Sequence, residues 1–264
     1  MLAQDSLDIR LAYPASGKHQ FEIVEFGAAY RSVQDANTAE SIFSGFGAFF
    51  GNGNLSWTER SIASYRSWFG YHELQSPAGV TTREVFMDFS LSYGRRIFPQ
   101  AQTYLAVGGQ AGLLGPARWT PALQNTEVSW EIVGGIGPWM YAHGGLGPLL
   151  GGKPWRWYAE AHVPVVAYVN RPLYGLVLEQ ESSQDHQVGW IGDLLRLQAE
   201  VGIRFWRAKD PCRNKPHDRW KIAYRWDLLH WQPDEGQAVT TAMHQLQFGF
   251  MIGQDLSKKK KRTP

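Results

Sequence analysis

A chain of 264 residues, 44% hydrophobic and 19% charged, is too apolar to stay disordered and large enough for one substantial core. Its net charge of +2 is too small for a general nucleic-acid binder, which spreads basic residues over a folded face. No run of about eighteen apolar residues occurs, so there is no transmembrane helix. The single cysteine, Cys212, excludes an internal disulfide and a cysteine-based zinc site.

The chain opens on Met1-Leu2-Ala3-Gln4-Asp5, which resembles the end of a secretory signal cleaved after Ala3. Alternation and turn signals then place strand cores at 7–13, 20–31, 42–50 and 55–69, the last alternating poorly. From 83 to 97 the period of two is clear. Val85, Met87, Phe89, Leu91 and Tyr93 share one face, while Glu84, Asp88, Ser90 and Ser92 share the other with Phe86. Successive side chains of a strand point to opposite faces, so this is strand periodicity.

Further cores fall at 101–114 and 126–141, the second alternating Val128, Trp130 and Ile132 with Ser129, Glu131 and Val133. At 154–169 Trp155, Trp157, Ala159 and Ala161 alternate with Arg156, Tyr158, Glu160 and His162. After 173–182 comes 191–206, where Leu195, Leu197, Ala199, Val201, Ile203 and Phe205 alternate with Arg196, Gln198, Glu200, Gly202 and Arg204. The last two cores are 219–231 and 240–253. No repeat, linker or amphipathic helix interrupts them. The reading is all-β: a single antiparallel barrel of about twelve strands over 1–253, with a basic polar tail at 254–264. The tail carries Lys258, Lys259, Lys260, Lys261 and Arg262, either as a solvated terminus or as a contact to anionic headgroups.

A soluble sandwich and a membrane barrel both alternate, with opposite faces wet. Strand length separates them, because several strands here alternate for ten or more residues. A tilted spanning strand needs about 9–11, and an average strand has about 5–6. Tryptophans near strand ends point the same way, since such rings collect at bilayer interfaces. The expected interfacial set is Trp130, Trp139, Trp155, Trp190, Trp206, Trp220 and Trp231. Gly108, Gly109, Gly112, Gly134, Gly135 and Gly137 in predicted strands suit a crowded or bent wall. The expected compartment is therefore a bacterial outer membrane, with its lipid as the main partner and other envelope proteins as further ones.

On this phase the interior receives Glu84, Asp88, Glu131, Arg156, Glu160, His162, Arg196, Glu200, Arg204, Lys221, Arg225 and Asp227. Both signs are present, so the expectation is a paired network filling the lumen, with a selective pore as the alternative. Chemistry is weakly signalled. There is no GxSxG elbow and no HExxH. The glycine-rich 144–152 stretch lacks the Lys and Ser/Thr of a phosphate loop. The weak catalytic candidates are Asp227, His230 and His244 around the hairpin 232–237, where in-phase pairing sets Arg225 opposite Gln245 and Trp226 opposite His244. No metal or cofactor is expected.

The last third resembles a family of outer-membrane barrels of unknown function found in Bacteroidota. The resemblance covers 155–253. It is carried by Val163-Pro164-Val165-Val166-Ala167, by Pro172-Leu173-Tyr174-Gly175 and by Leu195 to Phe205. It continues through Lys221-Ile222-Ala223-Tyr224 to His244-Gln245-Leu246-Gln247-Phe248-Gly249-Phe250. It implies fold and compartment rather than activity. Many barrels end on an aromatic residue, whereas here a polar tail follows Phe250. The functional expectation is a non-enzymatic structural or accessory subunit of an envelope assembly, or a narrow solute pore. The alternatives are a lipid-acting hydrolase or acyltransferase, and a soluble barrel for an apolar ligand.

Overall fold

The computed structural model describes residues 19–35, 39–97, 103–122, 128–149, 153–172, 184–206, 219–232 and 238–254. The expected strands at 7–13 and 173–182, the Ala3 cleavage point, Cys212 and the lysine-rich tail lie outside the described residues.

The described strands are β1 (His19–Asp35), β2 (Ala39–Trp57), β3 (Ser61–Gln75), β4 (Thr81–Ile97), β5 (Tyr104–Trp119), β6 (Val128–Trp130) and β7 (Ile132–Leu149). They continue as β8 (Lys153–His162), β9 (Val166–Pro172), β10 (Gln184–Trp190), β11 (Leu194–Trp206), β12 (Arg219–Trp231) and β13 (Val239–Gln254). All pairings are antiparallel. Ten strands close a ring in the order β7, β8, β11, β12, β13, β1, β2, β3, β4, β5 and back to β7. The other three prolong that wall. β6 precedes β7 across Glu131 and pairs with β5, β9 follows β8 and pairs with β7, and β10 precedes β11 and pairs with β9.

The wall thus has ten lines of chain where the sequence suggests about twelve. β1 pairs directly with β13 from Gln20 to Asp35, so these two strands close the wall side by side. The poor alternation of 55–69 has a local cause: it spans a turn. Thr58 Oγ1 accepts the Ser61 N–H at 3.0 Å, and the Thr58 N–H reaches the Ser61 carbonyl at 2.8 Å. Such a hydroxyl turn ends one strand and starts the next.

Two further breaks share one stretch of wall. Trp139 faces His162 while Ile136 faces Val166, so three residues of the β8–β9 line oppose two of β7. This is a bulge, placed where Pro164 has no N–H to give the ladder. On the other side His162 faces Gln198 and Val166 faces Trp190. The surplus there turns at Ile191-Gly192-Asp193, closed by the Asp193 N–H on the Trp190 carbonyl at 2.9 Å.

Register fixes the barrel's size. A row starting at Leu74 runs through Gly45, Arg31, Met243, Asp227, Gln198, His162, Trp139, Gly108 and Gly94. It returns to β3 at Ile62, twelve residues from its start. With ~3.3 Å per residue and ~4.8 Å between ten strands, this shear sets a tilt of about 40° and a backbone radius of roughly 10 Å. Side chains can fill such a cylinder.

Glycines on β2 make that filling possible. A Cβ on Gly47 would stand 2.5 Å from the His72 ring, and one on Gly51 would stand 2.4 Å from the Trp68 ring. The large side chains of β3 lie across these gaps. Phe21, Leu55, Trp57, Ile62, Tyr104 and Met251 form an apolar layer at the end where β1 starts and β13 ends. Phe49, Trp68, Phe86, Leu114, Leu194 and Trp231 belong to a second apolar cluster.

The outer face is apolar. Phe26, Phe46, Phe69, Val85, Ile136 and Leu246 are all exposed. On β4 the outward run Val85, Met87, Phe89, Leu91 and Tyr93 is bounded by exposed Arg83 and Arg95. At ~3.3 Å per residue and the tilt above, that run stands roughly 20 Å tall, close to the ~25 Å apolar band of membrane barrels.

Candidate functional site: the charged interior

The register places opposite charges side by side. Glu84 on β4 lies opposite His72 on β3 and Arg118 on β5. Fully buried, it meets Arg118 Nε at 2.8 Å, Arg31 Nε at 2.9 Å and His72 Nδ1 at 3.2 Å. Arg118 extends this hub to Glu131 at 2.8 Å. Nearer the end where β1 finishes and β13 begins, Arg171 pairs with Asp35 at 3.0 Å, and its guanidinium lies 5.3 Å from the Trp231 ring.

A second hub joins β4, β11 and β12. Asp88 accepts Arg225 at 2.6 Å and Arg196 at 3.4 Å, and Arg196 also reaches Asp227 at 2.8 Å. Gln198 donates to Asp227 at 2.7 Å, and its carbonyl oxygen accepts Gln110 at 3.2 Å. His162 Nδ1 is 3.1 Å from both amide side chains.

The third hub centres on Glu200. It is met by Lys221 at 2.7 Å, Arg66 at 3.0 Å and the Tyr158 hydroxyl at 2.5 Å. Arg66 also holds Glu160 at 2.5 Å, and Lys221 holds Glu25 at 2.5 Å. Trp68 Nε1 donates to Glu25 at 3.0 Å. Between the second and third hubs lies a cavity of about 20 Å³, lined in part by Arg66, Ser92, Glu160, His162, Gln198 and Glu200. That is room for about one water.

Interior cations and carboxylates are nearly equal in number among the described residues. Buried ions are tolerated when paired and hydrogen-bonded, and the three hubs supply both conditions. The twelve residues expected to face the lumen are all buried except Glu160, which is 16% exposed. Sequence reasoning missed Glu25, Arg31, Asp35, Arg66, His72, Arg118 and Arg171. The inward face of β1, for example, mixes Phe21, Ile23 and Val33 with these charges, so it does not read as a polar stripe.

The aromatic set divides. Trp190 and Trp220 are exposed on the outside, where Trp220 packs edge-on against Phe250. Trp130 and Trp155 are half-buried on the outer face, Trp155 stacked on Phe205. The side chain of Trp206 lies outside the described set. Trp139 and Trp231 are not interfacial: both are buried inside. Parity explains the error, because Trp139 is an odd number of residues from Trp130, as is Trp231 from Trp220. Odd spacing along a regular strand reverses the face.

The catalytic candidates do not converge. The expected register holds, with Trp226 opposite His244. Asp227 is inside, bonded to Arg196 and Gln198. His230 is outside beside Thr240 at 2.8 Å, and His244 is outside against the Tyr224 hydroxyl. The backbone wall separates the acid from both imidazoles, and a relay needs hydrogen-bond reach. His230→Ala and His244→Ala should each change stability by no more than about 0.5 kcal/mol, as surface substitutions do. Urea titration of detergent-folded protein measures this, and a loss of several times that size would give these rings a structural role.

No family model and no curated protein matches the chain. Among solved structures it is similar to the outer membrane protease OmpT from Escherichia coli, at 6% identity and a TM-score of 0.48, over 89% of this chain and 97% of that one. It is also similar to the translocator domain of the autotransporter NalP from Neisseria meningitidis, at 12% identity and 0.38, over 89% and 88%. The β domain of the Bordetella autotransporter BrkA gives 10% and 0.41, over 89% and 98%. Identities this low transfer no activity from those proteins to this chain.

Proposed function

We propose that the protein is a barrel of a bacterial outer membrane that acts as a structural or accessory subunit, its lumen closed by its own side chains. The observation that carries this reading is the inversion of faces. Large apolar side chains stand exposed around the outside, while ion pairs fill the inside. In water that arrangement would leave an apolar surface far larger than monomeric soluble proteins expose. In lipid it is the expected one.

The filled interior argues against an open diffusion pore. Purified protein in planar bilayers should pass almost no steady current, and it should aggregate once detergent is removed. Sizeable, stable single-channel currents would establish a pore instead. A monodisperse protein in plain buffer would overturn the membrane assignment.

A further inference from the structure

One interior cation stands outside the pairing scheme. Arg204 on β11 is 5% exposed, and among the described residues no carboxylate ion-pairs with it. Its Nη1 donates to the Tyr141 hydroxyl at 2.6 Å, and its guanidinium lies 3.9 Å over the Tyr158 ring. Among the described residues its Nε and Nη2 have no hydrogen-bond acceptor. Those two N–H groups form the side-on edge of the guanidinium, which grips two oxygens of a carboxylate or phosphate at once. The fork is held in place on its other side and left empty on this one.

Other cations stand on the neighbouring strands. Arg204 sits directly opposite Arg156 on β8 and opposite Lys221 on β12. All three are buried. Like charges facing one another across a sheet are destabilising. The carboxylate two pleat repeats away on the same face, Glu200, is already held by Lys221, Arg66 and the Tyr158 hydroxyl. A fourth cation, Arg96, lies 4.9 Å over the Tyr104 ring, which packs edge-on against Tyr141. The row is two or three residues inside the end where β1 starts and β13 ends, near the last residue of β11 and the first of β8 and β12.

We propose that Arg204 is the centre of an oxyanion site at this mouth of the barrel, and that the site takes a phosphate group. The two N–H groups of the open edge match two oxygens of one phosphate. Tyr141 and Tyr158 orient the fork. The phosphate can be a free ion or the headgroup of a lipid with a terminal phosphate. The site does not depend on whether the barrel conducts.

The test uses the full chain in neutral detergent, with calorimetric titration by inorganic phosphate and by dihexanoyl phosphatidate. Saturable binding of at least one probe is expected. Arg204→Lys keeps the charge but removes the fork, and should weaken binding at least tenfold. Arg204→Met keeps an aliphatic chain over Tyr158 and should abolish it, with the heat-modifiable gel shift verifying that both variants fold. Much tighter binding of the phosphatidate identifies a lipid headgroup as the source, and equal binding identifies free phosphate. If neither probe binds at millimolar concentration, or if Arg204→Met binds as the parent does, the site does not exist.

Discussion

Glu84→Ala is expected to lower barrel stability by about 3–5 kcal/mol, the cost of leaving buried charges without their counter-ion. Glu84 is fully buried and is shared by Arg31, His72 and Arg118. Arg118 keeps Glu131 as a partner, whereas Arg31 loses the one carboxylate seen within ion-pair distance of it. Glu84→Gln keeps the shape but not the charge, and should fall between the parent and the alanine variant. Glu73 supplies the control: it is exposed on the neighbouring strand, and Glu73→Ala should stay within about 0.5 kcal/mol. Urea unfolding in detergent, read by the gel shift of folded against unfolded barrel, measures all three. A loss at Glu84 no larger than that at Glu73 would mean that water or rearrangement replaces the carboxylate.

The second large effect is predicted at Trp68. The ring is 2% exposed and lies against Gly51, with the Arg225 guanidinium 4.1 Å above it and Glu25 on its N–H. It also lines the 20 Å³ cavity. Trp68→Ala should cost about 3–5 kcal/mol, as truncation of a large core side chain does. Part of the vacated volume joins a polar space and will hydrate. A measurable leak current in planar bilayers is therefore expected for Trp68→Ala and not for the parent. Trp68→Phe keeps most of the plug and loses only the hydrogen bond, so it should cost about 1 kcal/mol and stay silent. A current from Trp68→Phe equal to that from Trp68→Ala would show that the bond to Glu25, rather than bulk, closes the lumen.

How much was legible depended on how cleanly each strand separates its faces. β4 is plain in the sequence because its outward residues from Val85 to Tyr93 are all apolar and its inward ones nearly all polar. β1 is not, because its inward face alternates between apolar layers and charge hubs. The break at Val163-Pro164-Val165 carries a proline, yet nothing local shows that the compensating turn at Ile191–Asp193 sits beside it. The lumen charges on β8, β11 and β12 were identified by phase alone, but phase says nothing about partners. That Arg196 meets Asp88 across 108 residues follows from closure and shear, which no local pattern encodes. Arg204 looked like any other lumen arginine, and only the placement of its neighbours singles it out.

Direct pairing of β1 with β13 has a consequence for assembly. The first and last described strands share a register that runs from Gln20 with Gln254 to Asp35 with Val239. Several of the ion pairs in the interior are also remote along the chain: Asp35 with Arg171, Arg66 with Glu200, and Glu25 with Lys221. None of these can form until most of the polypeptide is present. Contacts of such separation carry a large closure entropy and make folding slow. A nascent sheet of fewer strands would have to bring its charged face into hydrocarbon unpaired, at several kcal/mol per ion. In the proposed membrane setting the remote inward charges would then act as a checkpoint on topology, disfavouring partial barrels in the bilayer core until the seam between β1 and β13 is sealed.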